Sequence, residues 1–370
     1  MQRFPAVFLP IIACAAITGC TDKTSNPVAS AASSGQMASS LQHSEASDES
    51  NDEDDDSDSA YTLAVIGDTP YGPKKLGEFP ALVAKINADP RVRLVAHLGD
   101  IKAGKNSLCT NEYFDMIRGL FDGFADPLAY TPGDNEWTDC HSSKGNGSYT
   151  PTERLQHVRT VFFPEAGRTL GTHAMRVATQ ADDPANTDYV ENTLWRKSRV
   201  VFAMLNITGS NNDLAAWGPV PADAGNYPAQ GAEVASRARA NSAWLEKTFA
   251  RAEQTHAVGI ILMFQADMWD PAEPTLTGFD ALVQQIGTLA TQFGKPVLLL
   301  EGDSHKFNVD NPYSTSSTLH VLHPSTPVVS NITRIVVEGS DAGRTEYLRL
   351  TVDPRKKSSA MFSWERVPLN

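Results

Sequence analysis

Four apolar runs in this 370-residue chain end in Gly-Asp: residues 62–72 (TLAVIGDTPYG), 95–105 (VAHLGDIKAGK), 130–141 (YTPGDNEWTDCH) and 297–307 (VLLLEGDSHKF). A carboxylate placed straight after a strand and a glycine turn stands at the edge of a sheet, where α/β hydrolytic folds gather acidic side chains around metal ions. One such pair is a common accident of sequence. Four of them, the last followed by His305, point to one shared site.

The elements that would carry these ends are short apolar runs at 63–66, 92–97, 128–131, 258–264 and 297–300, separated by helical-looking segments at 79–88, 112–124 and 233–253. Strand runs alternating with helices predict a layered α/β fold. Alternating β-prone segments at 194–206, 333–338, 346–352 and 360–365 predict antiparallel strands of a mixed or second sheet. The Pro- and Gly-rich stretches 141–152 and 217–231 read as surface insertions able to wall a substrate site.

Arg3 precedes an apolar run over 4–17 that is too short for a spanning helix and reads as a signal peptide. It closes on Ile17-Thr18-Gly19-Cys20, which resembles the bacterial lipoprotein processing box. Residues 1–20 are therefore expected to be a signal, with Cys20 as the lipidated first residue of the mature chain. General signal-peptidase cleavage, giving a soluble secreted protein, is the alternative. Residues 21–60 are Ser, Ala, Asn and acidic residues, a disordered tether by composition. Residues 1–60 hold −8 of the −13 net charge, and their acidic run lacks the spacing and glycine of a calcium loop, so it reads as a solvated spacer. The remaining charge gives no nucleic-acid-binding signal, and nothing in the sequence implies a protein partner. Residues 61–370 are long enough for one large domain. Cys109 and Cys140 are its only cysteines, and an exported chain enters a compartment where disulfides persist, so they are predicted to pair.

The order of these segments resembles the calcineurin-like metallophosphoesterase superfamily over most of residues 61–355. Its motifs run Asp-x-His, Gly-Asp, Gly-Asn-His-Asp/Glu, an isolated His after an apolar strand, and Gly-His-x-His. Here the matching positions are Asp68-Thr69-Pro70, Gly99-Asp100, Gly133-Asp134-Asn135-Glu136, Gln265, and Gly302-Asp303-Ser304-His305. The resemblance implies a layered α/β/β/α sandwich with two mixed sheets and two metal ions. Asp68, Asp100 and His305 match ligand positions letter for letter. Asp134 stands where the family has Asn, Asp303 and Gln265 stand where it has His, and Pro70 leaves one ligand short. The implied sites are Asp68, Asp100 and His305 beside Asp100, Asp134, Gln265 and Asp303, with Asp100 shared. Oxygen has largely replaced nitrogen, so manganese, magnesium or calcium is expected ahead of zinc, with iron also admissible. Two cations about 3.5–4 Å apart can clamp phosphoryl oxygens and lower the pKa of a bound water. The implied activity is hydrolysis of a small phosphomonoester or phosphodiester.

The family's leaving-group His corresponds to Asn135, an amide that can donate a hydrogen bond but cannot deliver a proton. His141, beside Cys140, is the candidate replacement, against the plainer reading of a surface histidine. Glu136 is expected to orient Asn135 or a ligand. Four carboxylates would neutralise two divalent cations, so an anionic substrate needs nearby positive charge. Lys102, Lys105, Lys306 and Arg154 are the candidates, each equally at home as a solvated surface charge. Asp267 reads as a further ligand or as the cap of the following turn. Asn206 opens a donor-rich stretch at 206–212, a candidate substrate contact that turn chemistry also explains. The resulting expectation is an exported enzyme held to a membrane through Cys20, facing the periplasm or anchored in the outer membrane. The alternative is a binding lipoprotein on a catalytically degenerate scaffold.

Overall fold

The computed structural model describes residues 58–143, 147–218 and 228–370. The expected signal, Cys20, most of the tether and parts of both insertions lie outside the described residues. Two mixed sheets and flanking helices make up a mixed α/β fold. The first sheet forms from β1 (Tyr61–Ile66), β2 (Val92–His97) and β3 (Leu128–Tyr130), all parallel, joined through α1 (Gly72–Asn87) and α2 (Asn111–Phe121). After α3 (Pro151–Phe162) the chain enters the second sheet. There β4 (Ala178–Thr179), β5 (Thr193–Lys197) and β6 (Val200–Met204) are antiparallel neighbours. Ser198 and Arg199 close the β5–β6 hairpin, both at positive φ (50° and 58°), the twist that a two-residue hairpin loop needs. A five-residue turn, α4 (Gly209–Asp213), and the 27-residue α5 (Pro228–Gln254) lead to β7 (Gly259–Met263). Next come α6 (Asp280–Phe293), β8 (Val297–Glu301), β9 (Asn308–Asp310) and β10 (Ile332–Val336), with β6, β7, β8 and β10 parallel. The chain then returns to the first sheet: β11 (Glu346–Val352) pairs antiparallel with β1, and β12 (Phe362–Pro368) with β11.

The central strands are apolar on both faces, as strands covered on both sides must be. In β1, Leu63 and Val65 join one cluster while Ala64 and Ile66 join another; in β8, Leu298 and Leu300 part from Val297 and Leu299 in the same way. One cluster mixes residues of both sheets, among them Leu63, Leu94, Phe202, Ile261 and Leu298. A second packs the first sheet on α1, α2 and α3 through Phe79, Ile86, Phe114, Phe121 and Phe162. The third packs the second sheet on α5 and α6 through Trp244, Phe249, Val283 and Ile286. The helix α6 stops at Gly294, whose positive φ of 65° lets its N–H return to Ala290 O.

The consequence for function is directional. Asp68 follows β1, Asp100 follows β2, Asp134 follows β3, Gln265 follows β7, and Asp303 and His305 follow β8. All are therefore delivered to the carboxyl ends of parallel strands, the edge where open α/β sheets place their ligands.

Candidate metal centre

Two glycines of the Gly-Asp pairs, Gly133 and Gly302, make room for the carboxylate of a neighbouring strand end. A Cβ on Gly302 would lie 2.5 Å from Asp68 Oδ2, and one on Gly133 would collide with Asp100 Oδ1. Asp68, Asp100, Asp303 and His305 all sit at positive φ, between 51° and 70°. Asp tolerates this region better than most residues, and four such positions in one place are strain held by surrounding structure.

Ligand atoms of Asp68, Asp100 and His305 lie within 4.8 Å of one another, as do those of Asp100, Asp134 and Asp303. Asp100 belongs to both groups. His305 Nε2 stands 3.5 Å from Asp68 Oδ1, and its Nδ1 3.4 Å from Asp341. Asp68 is fully buried; Oδ1 accepts the Asp303 N–H at 2.9 Å, while Oδ2 has no partner among the described residues. Burial first, and then neighbouring carboxylate charges, hold Asp68, Asp100 and Asp303 well above the ordinary carboxylate range; burial and the charges of Asp139 and Glu136 push Asp134 up to about 8. An orphaned carboxylate oxygen among buried like charges fits a cation: the donor set is hard oxygen with one imidazole nitrogen.

Several residues hold this cluster in place without being legible as site residues. Tyr71, next to Pro70, donates its hydroxyl to Asp100 Oδ2 at 3.0 Å; burial and the Asp100 charge keep it protonated by raising its pKa. His97, at the end of β2, accepts the Gly99 N–H on Nδ1 at 3.2 Å, so its proton is on Nε2, which donates to Thr69 O at 2.8 Å. It thereby ties the turn carrying Asp68 to the turn carrying Asp100. Burial pushes its pKa down to about 4. Ser210 places its single hydroxyl 2.8 Å from both Asp134 Oδ2 and Asp139 Oδ1. It rides on α4, which is left-handed: Ser210, Asn211, Asn212 and Asp213 have φ of 52°, 55°, 57° and 62°. L-residues rarely run in this conformation. Tertiary contacts impose it here. The buried guanidinium of Arg237 bonds Asn212 Oδ1 and, at 3.1 Å, Asn212 O. Gly278 N–H donates to Asn211 Oδ1 at 2.8 Å, and Trp217 Nε1 to Asp213 at 2.7 Å.

The expected site residues divide. Asn135 belongs to the cluster, donating from Nδ2 to Asp100 Oδ2 at 2.6 Å and from its backbone N–H to Oδ1 at 3.1 Å. Glu136 is an organiser: its Oε1 accepts from the Asp100 N–H, the Gly133 N–H and the Tyr130 hydroxyl at 3.1, 2.7 and 2.7 Å. Cys109 and Cys140 form the predicted disulfide, with a Cα–Cα distance of 5.9 Å, and join the loops after β2 and β3. His141 lies on that tied loop, its Nδ1–H donated to Thr138 O at 2.8 Å.

Four expectations need correction. Gln265 turns its Oε1 to the Gly209 N–H at 2.6 Å and its amide to Asp134 Oδ1 at 3.3 Å, so it supports a carboxylate rather than offering a ligand oxygen. Lys102 is fully buried, with Nζ on Ala103 O and Asn135 O at 2.9 Å each, and burial lowers its pKa. Arg154 is also buried, bonding Cys109 O and Asn111 Oδ1 at 2.8 Å each and pairing with Glu153. Asn206 is enclosed between Glu191, Asn192, Arg237 and Asn241. All three polar side chains satisfy buried backbone or network partners, which cost more to strand than a surface charge gains. Asp267, read as ligand or cap, caps: Oδ1 accepts the Trp269 N–H at 3.0 Å and pairs with the buried Arg334.

No protein-family pattern matches this chain, and no curated protein sequence does. Among solved structures the chain is similar to GAP50, the anchor in the inner membrane complex of Plasmodium, at 10% identity and a TM-score of 0.40, covering 84% of this chain and 89% of that one.

Proposed function

We propose that this chain is a divergent member of the calcineurin-like metallophosphoesterase superfamily, folded as a layered α/β/β/α sandwich, which hydrolyses phosphomonoesters or phosphodiesters with two divalent cations. On the same reading it is exported and held to a membrane by a lipid on Cys20, facing the periplasm or anchored in the outer membrane. The observation that carries the proposal is the sharing of Asp100 between two groups of closely spaced ligand atoms, beside the orphaned Oδ2 of Asp68.

Asp68, Asp100 and His305 would hold one cation; Asp100, Asp134 and Asp303 the other. Bound there, the cations would supply positive charge for phosphoryl oxygens and lower the pKa of a water. The chain's own groups do the positioning. Tyr71 and Asn135 aim Asp100 with two neutral donors, Glu136 fixes the backbone that carries Asp100 and Gly133, and Gln265 and Ser210 aim Asp134. A second reading, a cation-dependent binding module, is favoured by one finding: Lys102 and Arg154 are spent on internal carbonyls and are not free to meet an anionic transition state.

Chelator-stripped protein given back manganese, magnesium, calcium or zinc separates these readings. We expect manganese, magnesium or calcium to restore hydrolysis of a generic aryl phosphoester better than zinc. Protons should be released on cation uptake, since Asp134 titrates near 8. Asp100→Asn should lower kcat by on the order of 10² to 10³. Tight cation uptake without turnover would leave the binding module standing, and no uptake at all would end both readings.

A further inference from the structure

At the other end of the same strands lies a groove of about 820 Å³. Tyr61, at the start of β1, and Arg93, near the start of β2, are in its lining. Six of the lining side chains are cationic, namely Arg93, Arg176, Arg196, Lys197, Lys247 and Arg251, and none is acidic. This is a concentrated positive patch in a chain of net charge −13. Arg93, Arg176 and Lys247 are exposed. Asp126 acts on Arg93 and Asp183 on Lys247, but neither carboxylate is part of the lining. The groove wall also includes Trp195, 7% exposed and stacked on Phe202 at 5.4 Å, whose indole N–H has no hydrogen-bond partner among the described residues. Six cations in one lining with no carboxylate among them favour an anionic ligand.

We propose that this groove binds an acidic peptide, and that its resident occupant is the chain's own acidic run at residues 52–56, Asp-Glu-Asp-Asp-Asp. Those residues precede the described ones, and the chain enters the domain beside the groove. Asp58 pairs with Arg199 at 2.8 Å, two positions from Lys197 of the lining, and Tyr61 of the lining follows three positions later. From Asp58 the run reaches back at most roughly 20 Å of extended chain, at about 3.4 Å per residue. Single exposed ion pairs are weak. Five linked carboxylates facing a lining that includes the exposed Arg93, Arg176 and Lys247, held at the millimolar effective concentration typical of a short tether, are not. The inference is independent of the metal centre.

Two measurements on the full chain test it. Carbodiimide coupling mapped by mass spectrometry should join residues 52–56 to Lys197 and Lys247 in preference to the exposed Lys74, Lys105 and Lys306. A labelled poly-aspartate peptide should bind at least tenfold more tightly, at low salt, to the neutralised variant (Asp52→Asn, Glu53→Gln, Asp54→Asn, Asp55→Asn, Asp56→Asn) than to the unaltered chain. Adding Arg93→Ser, Arg176→Ser and Lys247→Ser, all at exposed positions, should abolish that gain without moving the thermal midpoint. Coupling spread evenly over surface lysines overturns the proposal. So does poly-aspartate affinity that is equal in the two proteins: if tight, the groove serves an outside partner, and if absent, it takes no acidic chain.

Discussion

The two ends of β1 solve opposite electrostatic problems. Beyond Ile66, buried carboxylates crowd together on backbone at positive φ, tied by a disulfide, by the imidazole of His97 and by the guanidinium of Arg237. Before Tyr61, cations line an open groove, most of them from strand and helix positions, and three of them are exposed. Like charges out of water must be forced together by structure that leaves the backbone no alternative, whereas like charges in water need only a surface to stand on. The acid edge should therefore be sensitive to small changes and the basic edge tolerant of them.

The largest test of that contrast is the disulfide. It closes a separation of 31 residues, which corresponds to roughly 3–4 kcal/mol of stability from the unfolded chain's lost freedom. Cys109→Ser combined with Cys140→Ser should cost about that much in denaturant unfolding and weaken cation uptake together with it. Loss of stability with intact uptake would mean that the carboxylate turns hold themselves.

A smaller effect, roughly 3 kcal/mol, is expected from His97. Its folded pKa of about 4 lies below the ordinary 6.5, so between those values the unfolded chain takes a proton that the folded chain refuses. Stability from this group is complete above pH 6.5 and declines as pH falls toward 4. The site carboxylates, held above their ordinary range by burial, act on stability with the opposite sign as pH falls, so the measurement is the difference between the unaltered chain and His97→Asn in denaturant titrations from pH 7 to 4. That difference should shrink on acidification. A constant difference would mean that His97 takes its proton in the folded chain as readily as in the unfolded one, and would undo its role as the tie between the two turns.

The smallest effect belongs to the basic edge. Arg176→Ser, at an exposed position, should change unfolding free energy by less than about 0.5 kcal/mol. A cost above about 2 kcal/mol would show that the groove is braced as tightly as the carboxylate cluster.

This contrast also explains what the sequence made legible. The carboxylates could be found because each follows an apolar run and a glycine, a local signal that survives without knowledge of the fold. The antiparallel strands within 194–206 and over 346–352 were legible from β-prone alternation, a signal equally local. Tyr71, His97, Ser210 and Arg237 were not, because nothing local marks them. His97 sits inside an apolar strand, and Ser210 to Asp213 have turn-like composition whose left-handed form is imposed by Arg237, Gly278 and Trp217. Lys102 and Arg154 misled because long cations usually reach water, and these two instead bond carbonyls inside. The segment α6 had its own signal, Leu282, Val283, Ile286, Ala290 and Phe293 at helical spacing. The helix α3 begins at Pro151, inside the stretch 141–152 expected to be an insertion, and proline at the first helical turn is a start signal as well as a loop signal.

The pairing of β1 with β11 has a consequence for the order of events in biosynthesis. The first strand made waits for a partner about 290 positions later, Tyr61 opposite Val352. Until the ribosome has delivered nearly the whole chain, β1 is an open edge, and Asp303 and His305 have not yet joined Asp68 and Asp100. A cation trap of this kind cannot close on a half-made protein. A chain cut short before Asp303 would carry a sticky strand and an incomplete trap, which makes early termination a hazard of aggregation rather than of stray metal chemistry.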